Sequence, residues 1–152
     1  MGNIRVMEVN HMKVREIMTK DVASLKTDDT IERAAQLMKQ YDVGCIPVCS
    51  KDKVIGVVTD RDIAVRNVAS GQNNSRSVGD IMSKDLVVGS PDMDVQDAAR
   101  LMSDRQIRRL PIVENSSLVG IVALGDISLE PSYQNSAEKA LKSISEPGGN
   151  IR

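Results

Sequence analysis

A hydroxyl and a carboxylate stand three residues apart after the aliphatic run Gly56-Val57-Val58, as Thr59 and Asp62. This spacing is typical of a capping box, in which each side chain bonds the other residue's backbone N–H at the start of a helix. A carboxylate can also accept hydrogen bonds from two neighbouring hydroxyls of a ligand. Because the two roles can coexist, the motif predicts a helix start that is also a candidate binding site.

A basic cluster, Arg105, Arg108 and Arg109, precedes Leu110 and Pro111. Such a cluster can bind one small anion through charge-assisted hydrogen bonds. It can equally be a solvated loop, or form ion pairs with neighbouring acidic residues such as Asp104 or Glu114. The whole chain has 20 Lys and Arg against 21 Asp and Glu. This balance gives no overall attraction to nucleic acids or anionic membranes, and we expect neither as a partner.

The two cysteines, Cys45 and Cys49, lie four positions apart in an apolar stretch. In a strand, their Cα atoms are about 13 Å apart at a rise of about 3.3 Å per residue. A disulfide needs a separation below about 7 Å, so we expect neither an internal bridge nor shared binding of one zinc ion. We expect two small buried side chains, with a redox role left open.

Signatures of catalysis are missing from the sequence. Its single histidine, His11, would have to serve any Ser-His-Asp, Cys-His or histidine-based zinc site. The phosphate-loop, nucleophile-elbow and zincin motifs are also absent. We therefore expect no enzyme, no catalytic residues, no bound metal and no required cofactor.

Aromatic residues make up only 1% of the 152 residues, as two Tyr without Phe or Trp. This composition excludes functions that depend on aromatic platforms, such as stacking of single-stranded nucleic acid. No apolar run reaches the roughly 18 residues of a membrane span. The first ten residues show no signal-peptide pattern, so the expected location is the cytoplasm.

An internal repeat must position these side chains. The segment Val14-Arg15-Glu16-Ile17-Met18 corresponds to Val78-Gly79-Asp80-Ile81-Met82, an offset of 64 positions. The same offset relates Gly56 to Gly120 and Asp62 to Asp126. Apolar residues recur at helical spacing after each entry segment, and two apolar runs across a four-residue turn follow. The pattern therefore predicts the element order β-α-β-β-α in each repeat, with first strands at Asp21 to Leu25 and Asp85 to Gly89.

The boundaries follow from the repeat. We place repeat 1 at residues 12–69, a polar linker at 70–77, repeat 2 at 78–130 and an extension at 131–152. Within the extension, residues 136–145 predict a short helix, and residues 147–150 are expected to be disordered. That helix would carry Ala137, Ala140, Leu141 and Ile144 on one side.

Both repeats together resemble a tandem pair of cystathionine β-synthase (CBS) domains, a Bateman module, of the stand-alone bacterial or archaeal type. The resemblance rests on Ile17-Met18-Thr19-Lys20-Asp21 at the entry, on Gly56 to Asp62 at the exit, and on their counterparts in repeat 2. It implies a mixed α/β (α+β) fold of two repeats about a pseudo-two-fold axis. It also implies a homodimer that regulates an unidentified protein by a change of shape or of oligomeric contacts.

The ligand implied by the resemblance is an adenosine-containing molecule such as AMP, ADP or ATP, with S-adenosylmethionine or Mg²⁺ as further possibilities. The family's pattern assigns ribose recognition to Thr59 and Asp62, and phosphate contact to arginines reaching across from the other repeat. The set implied for this main site is Lys20, Asp21, Val22, Cys45, Ile46, Pro47, Thr59, Arg61, Asp62, Arg108 and Arg109. Adenine would then lie against Val22, Ile46 and Pro47, because Tyr41 is the only ring in either repeat.

The two repeats differ at the positions expected to contact the ribose and the phosphate. Repeat 2 has Ala123 where repeat 1 has Thr59, and repeat 1 has Gly44 and Cys45 where repeat 2 has the arginine pair. We therefore expect one good site per chain. A weaker second site would consist of Lys84, Asp85, Leu86, Leu110, Pro111 and Asp126.

Two alternatives to ligand sensing remain. One is a structural or dimerisation module whose cleft binds no nucleotide. The absence of a threonine at Ala123, the counterpart of Thr59, favours this alternative. The other is a thiol switch at Cys45, which aligns with Arg109 and so borders the expected cleft.

Overall fold

The computed structural model describes residues 11–146 and shows a mixed α and β fold that follows the repeat. Repeat 1 contains β1 (Leu25–Lys26), α1 (Ile31–Tyr41), β2 (Cys45–Ser50), β3 (Lys53–Thr59) and α2 (Asp60–Asp62), which continues into a π-helical turn, Ile63–Val68. Repeat 2 contains α3 (Val95–Arg105), β4 (Arg109–Glu114), β5 (Ser117–Ala123) and α4 (Leu124–Ser128). A last helix, α5, spans Gln134–Ile144, and 3₁₀ turns lie at Val14–Glu16, Val78–Asp80 and Pro131–Tyr133.

Side-chain caps start the long helix of each repeat. The Thr30 hydroxyl accepts a hydrogen bond from the backbone N–H of Arg33 at 3.0 Å, as expected for an N-cap threonine. Asp94 caps α3 in the same way through Gln96. Both helices end at a residue in the left-handed conformation, Asp42 in α1 and its counterpart in α3. The predicted apolar stripe is fully buried in α3, and in α1 it is buried at Ile31, Ala34 and Met38.

Two hairpins form one sheet with the strand order β1-β2-β3-β5-β4. The tight turn between β2 and β3 places Lys51 and Asp52 at positive φ, which suits a two-residue hairpin turn. The equivalent residues of repeat 2, Asn115 and Ser116, have the same conformation. The hairpins meet through a single strand pair, Lys53 with Ser117, so the sheet itself joins the repeats only loosely.

The first strands are shorter than predicted. In repeat 1 the strand is the two-residue β1 rather than Asp21 to Leu25. In repeat 2 the predicted segment Asp85 to Gly89 forms only an isolated bridge between Gly89 and Ile112. Pro91 follows two residues later and has no N–H, so the ladder does not continue past Gly89 as β1 does past Leu25.

The entry segments are exchanged between the repeats. Val14 is buried in the core of repeat 2, whereas Val78 and Ile81 are buried in the core of repeat 1. Backbone hydrogen bonds fix the exchange: the Val14 N–H donates to Met93 at 3.0 Å, and the Val78 N–H donates to Asp29 at 2.8 Å. The chain therefore has two cores, and each is completed by the other repeat.

Helix α5 covers the helical side of repeat 2 only. Ala137, Ala140 and Ile144 are buried in that repeat's core, as predicted, but Leu141, at the edge of the same face, is 46% exposed. Beneath α5, Ala99 of α3 is buried. The matching Ala35 of α1 is exposed because nothing in residues 11–146 covers it. The expected disorder at residues 147–150 concerns positions outside the described ones.

None of the helices in residues 11–146 combines the length and the apolar character needed to cross a membrane.

Candidate functional site

A cavity of about 450 Å³ lies where the open ends of the two hairpins meet. Cys45 pairs with Thr59 at the end of the first hairpin, and Arg109 pairs with Ala123 at the end of the second. Both repeats therefore contribute the same backbone positions to one cleft. Its lining consists of Gly44, Cys45, Val57, Thr59, Asp60, Asp62, Ser83, Asp85, Val87, Ile107, Arg108, Arg109, Pro111, Ala123, Leu124 and Gly125.

Thr59 and Asp62 form the predicted capping box inside this cleft. The Thr59 hydroxyl oxygen accepts a hydrogen bond from the Asp62 N–H at 3.0 Å, and the Asp62 carboxylate accepts one from the Thr59 N–H at 3.0 Å. The second carboxylate oxygen lies 3.6 Å from the Arg66 guanidinium. The cap leaves the Thr59 O–H able to donate, and it holds the Asp62 carboxylate in one orientation at the cleft.

The equivalent cap of repeat 2 is one-sided. The Asp126 carboxylate accepts a hydrogen bond from the Ala123 N–H at 3.1 Å, but the methyl group of Ala123 can neither accept nor donate. The Asp126 carboxylate bonds the start of its helix as Asp62 does, but Asp126 does not line the cleft.

The arginine pair faces repeat 1 across the cleft. Neither Arg108 nor Arg109 forms an ion pair within the described residues, so the alternative pairing with Asp104 or Glu114 is not observed. The charge of Arg109 acts on Cys45 in the other repeat. Both arginines thus line the same cavity as Thr59 and Asp62.

Burial raises the pKa of the Cys45 thiol to about 11, and the carboxylates of Asp62 and Asp60 add to this shift while Arg109 opposes it. Below that pH the group is a neutral thiol. The pKa of Cys49 is raised as well, by burial and by the nearby carboxylate of Asp52. Both cysteines are free. Since the thiolate is the reactive form, neither sulfur is set up as a nucleophile.

Several predicted site residues come together in the cleft. From the main set these are Cys45, Thr59, Asp62, Arg108 and Arg109. Two residues expected at the weaker second site, Asp85 and Pro111, line the same cavity. The division into a main and a second site therefore does not match the geometry, which assembles one cleft from parts of both sets.

The other predicted residues are placed elsewhere. Lys20, Asp21 and Val22 do not line this cleft, because the exchange of entry segments pairs Thr19 with Ile121 of repeat 2. The corresponding pairing, Ser83 with Val57, brings the repeat 2 entry segment beside Thr59 instead. The remaining residues outside the lining are Ile46 and Leu110, which are buried in the cores, and Arg61, Pro47, Lys84, Leu86 and Asp126.

Sequence reasoning missed most of the apolar wall. Val57, Val87, Ile107 and Leu124 line the cleft in place of Val22, Ile46 and Pro47. Val57 could have been predicted from the alternation of side chains in a strand, since it lies two residues before Thr59 and so shares its face. Neither tyrosine lies in the lining, and the wall is aliphatic as the composition predicts.

No group of three or more His, Cys, Asp or Glu side chains suited to a metal ion occurs in the part of the chain that the structure describes. His11 bonds Asp94 at 2.7 Å, away from the cleft lining.

Comparisons with known proteins agree on one family. The model of the CBS domain matches residues 14–66 and 78–131. The CBS domain-containing protein YhcV of Bacillus subtilis is 48% identical over 132 residues, which are 87% of this chain and 94% of that protein.

Two solved structures extend the comparison. Hypoxic Response Protein I, solved with two coordinated zinc ions, is similar with a TM-score of 0.73 and 30% identity over 78% of this chain and 98% of that one. The CBS domain pair of protein MJ0100, solved with 5′-methylthioadenosine and S-adenosyl-L-methionine, has a TM-score of 0.68 and 28% identity over 78% and 94%.

Proposed function

The chain belongs to the CBS domain family, with two CBS domains in tandem, and from this premise we propose that it is a regulatory module that binds an adenosine-containing ligand, AMP, ADP or ATP, between its repeats. One observation carries the proposal: a hydroxyl–carboxylate motif from one repeat and an arginine pair from the other line the same cavity. Its volume of about 450 Å³ lies within the usual range of small-molecule sites. The adenosine ligands of MJ0100 support the ligand class.

In this proposal each group has a separate task. The Asp62 carboxylate accepts hydrogen bonds from the ribose hydroxyls, and the Thr59 O–H donates to the ribose or the phosphate. Arg108 and Arg109 bind the phosphate, for which guanidinium groups have matching geometry. The adenine lies between aliphatic side chains such as Val87 and Ile107, with backbone groups at its edge.

We propose a regulatory rather than a catalytic role. A ligand that contacts Asp62 and Arg109 together bridges the two repeats, because both residues line one cavity. Binding therefore favours one relative arrangement of the repeats, and this difference in shape is what a partner protein detects. The open helical side of repeat 1, with Ala35 and the exposed Val65 and Val68, is the proposed contact surface for a homodimer.

The two alternatives fare differently. A purely structural module remains the second candidate, since Asp62 and Thr59 already satisfy each other as a cap. The thiol switch is disfavoured because the raised pKa keeps Cys45 protonated at neutral pH. A metal-sensing role, by analogy with the zinc of Hypoxic Response Protein I, finds no cluster of ligands within residues 11–146.

A thermal-shift series with AMP, ADP, ATP and S-adenosylmethionine tests the proposal, together with mass spectrometry of nucleotide that co-purifies. We expect at least one adenosine ligand to raise the melting temperature, since a ligand at 100 times its Kd stabilises by about 2.7 kcal/mol. If none of these ligands shifts the melting temperature or co-purifies, the structural module becomes the better account.

A further inference from the structure

The cavity that contains the arginine pair also contains a carboxylate, Asp60, that neither the capping motif nor the phosphate contact uses. The Asp60 N–H donates to the Gly44 carbonyl at 2.9 Å, and the Leu124 N–H donates to the Arg108 carbonyl at 2.8 Å. Asp60 and Leu124 are therefore equivalent positions, and both line the cavity. Repeat 1 presents a negative charge where repeat 2 presents an alkyl group.

The Asp60 side chain is exposed to solvent at the cleft, and its two carboxylate oxygens have different neighbours. One oxygen accepts a hydrogen bond from the Arg61 N–H at 2.8 Å. The other lies against Gly44, where an added Cβ would stand only 2.9 Å from it. A glycine at position 44 is thus what allows the carboxylate to lie there, whereas the equivalent position of repeat 2 carries the side chain of Arg108.

The charges of the lining set a limit on the ligand. Asp60, Asp62 and Asp85 contribute three carboxylates, and Arg108 and Arg109 contribute two guanidinium groups. Two guanidinium charges match one phosphate group, which carries about 1.5 to 2 negative charges at neutral pH. A second or third phosphate would have no further cation in the lining, which also contains the negative charge of Asp60.

We propose that Asp60 is a specificity-determining residue that makes the cleft select adenosine ligands with at most one phosphate, so that AMP binds more tightly than ADP and ADP more tightly than ATP. This inference rests on the proposed function and names the ligand class within it. It follows from the juxtaposition of the Asp60 carboxylate and the arginine pair across one cavity.

Isothermal titration of wild type and Asp60→Asn with adenosine, AMP, ADP and ATP tests the inference. The titrations use low salt with EDTA, so that neither counterions nor Mg²⁺ screen the phosphates. For wild type we expect affinity to fall from AMP to ATP. For Asp60→Asn we expect ATP to gain about fivefold in affinity, with smaller gains for ADP, AMP and adenosine in that order.

Asp52→Asn is the matched control. It removes the same charge from the exposed turn between β2 and β3, outside the cleft lining, at a positive φ that asparagine tolerates. We expect it to leave the ratio of ATP to AMP affinity unchanged.

The outcomes separate the inference from the function on which it rests. Three results would overturn the role of Asp60 while the adenylate site stands. The affinity gain in Asp60→Asn could be independent of ligand charge, or Asp52→Asn could gain equally. The third result is wild type that binds ATP as tightly as AMP. Wild type that binds none of the four ligands overturns both.

Discussion

The two repeats have the same backbone and different chemistry. Thr59 and Ala123 end equivalent strands with the same pairing, and each is followed by an aspartate that bonds the backbone N–H at the strand end. Repeat 1 has the hydroxyl of Thr59 but Gly44 and Cys45 in place of the arginine pair, whereas repeat 2 has Arg108 and Arg109 but lacks the hydroxyl. A duplicated fold supplies a symmetric cleft, and complementary substitutions turn it into one asymmetric site.

The helical sides differ in the same way. Ala99 is buried beneath α5, while Ala35 is exposed. Within residues 11–146, α5 thus covers the helical side of repeat 2 and leaves that of repeat 1 exposed.

The largest expected effect on stability comes from a substitution on the helical side that α5 covers. Ala99→Arg places a charged, bulky side chain under α5, near Arg100 and Lys139. We expect it to lower the free energy of unfolding by about 3 kcal/mol or more, through overpacking and a buried unpaired charge. Urea denaturation followed by circular dichroism measures the loss.

Ala35→Arg is its counterpart on the open side. We expect a change within about 0.5 kcal/mol in the free energy of unfolding. We also expect loss of the proposed homodimer in size-exclusion chromatography with light scattering. Equal destabilisation by the two substitutions would show that the helical sides do not differ.

The next effect concerns the carboxylates. Asp62→Ala removes the proposed ribose contacts, and we expect AMP affinity to fall about a hundredfold, as for the loss of two charge-assisted hydrogen bonds. Asp126→Ala removes the same helix cap from repeat 2 and should change AMP affinity by less than threefold. Titration calorimetry measures both, and a similar loss in the two variants contradicts the one-sided site.

Substitution of Arg109 is expected to cause a smaller loss of AMP affinity. We expect Arg109→Ala to weaken AMP binding by about tenfold, since one charge-assisted contact to phosphate is lost. Adenosine, which has no phosphate, should bind almost as before. Arg105→Ala, an exposed position outside the lining, is the control. If Arg105→Ala weakens AMP binding as much, general attraction rather than a phosphate contact explains the loss.

The smallest effect comes from restoring symmetry. Ala123 has an extended backbone that suits an N-cap residue. Ala123→Thr should therefore complete the cap of α4 and stabilise the protein by about 1 kcal/mol, which thermal denaturation can detect. We expect no second AMP, because Gly44 and Cys45 still provide no cation. A second bound AMP would show that the hydroxyl alone defines a site.

Much of the fold could be predicted from the sequence. The 64-residue offset and the apolar periodicity gave the helices and hairpins, because these depend on local spacing. The capping box at Thr59 and the convergence of Asp62 with Arg109 were also predictable, since the complementary losses in the two repeats point to one site.

The exchange of entry segments could not be predicted in the same way. Ile17-Met18 and Ile81-Met82 are followed by the same Lys-Asp pair, so either segment suits either core. The choice depends on long-range packing of Val14 and Val78. From the sequence, Lys20 and Val22 are therefore expected in the cleft, whereas the structure has Ser83, Asp85 and Val87 of the other entry segment there.

The stoichiometry of AMP binding tests the central claim most directly. Isothermal titration calorimetry of the wild-type protein should give one AMP per chain, because one cleft uses the hydroxyl–carboxylate motif of repeat 1 and the arginine pair of repeat 2. Two AMP molecules per chain would mean that each repeat binds on its own. No binding of AMP would contradict an AMP-selective site altogether.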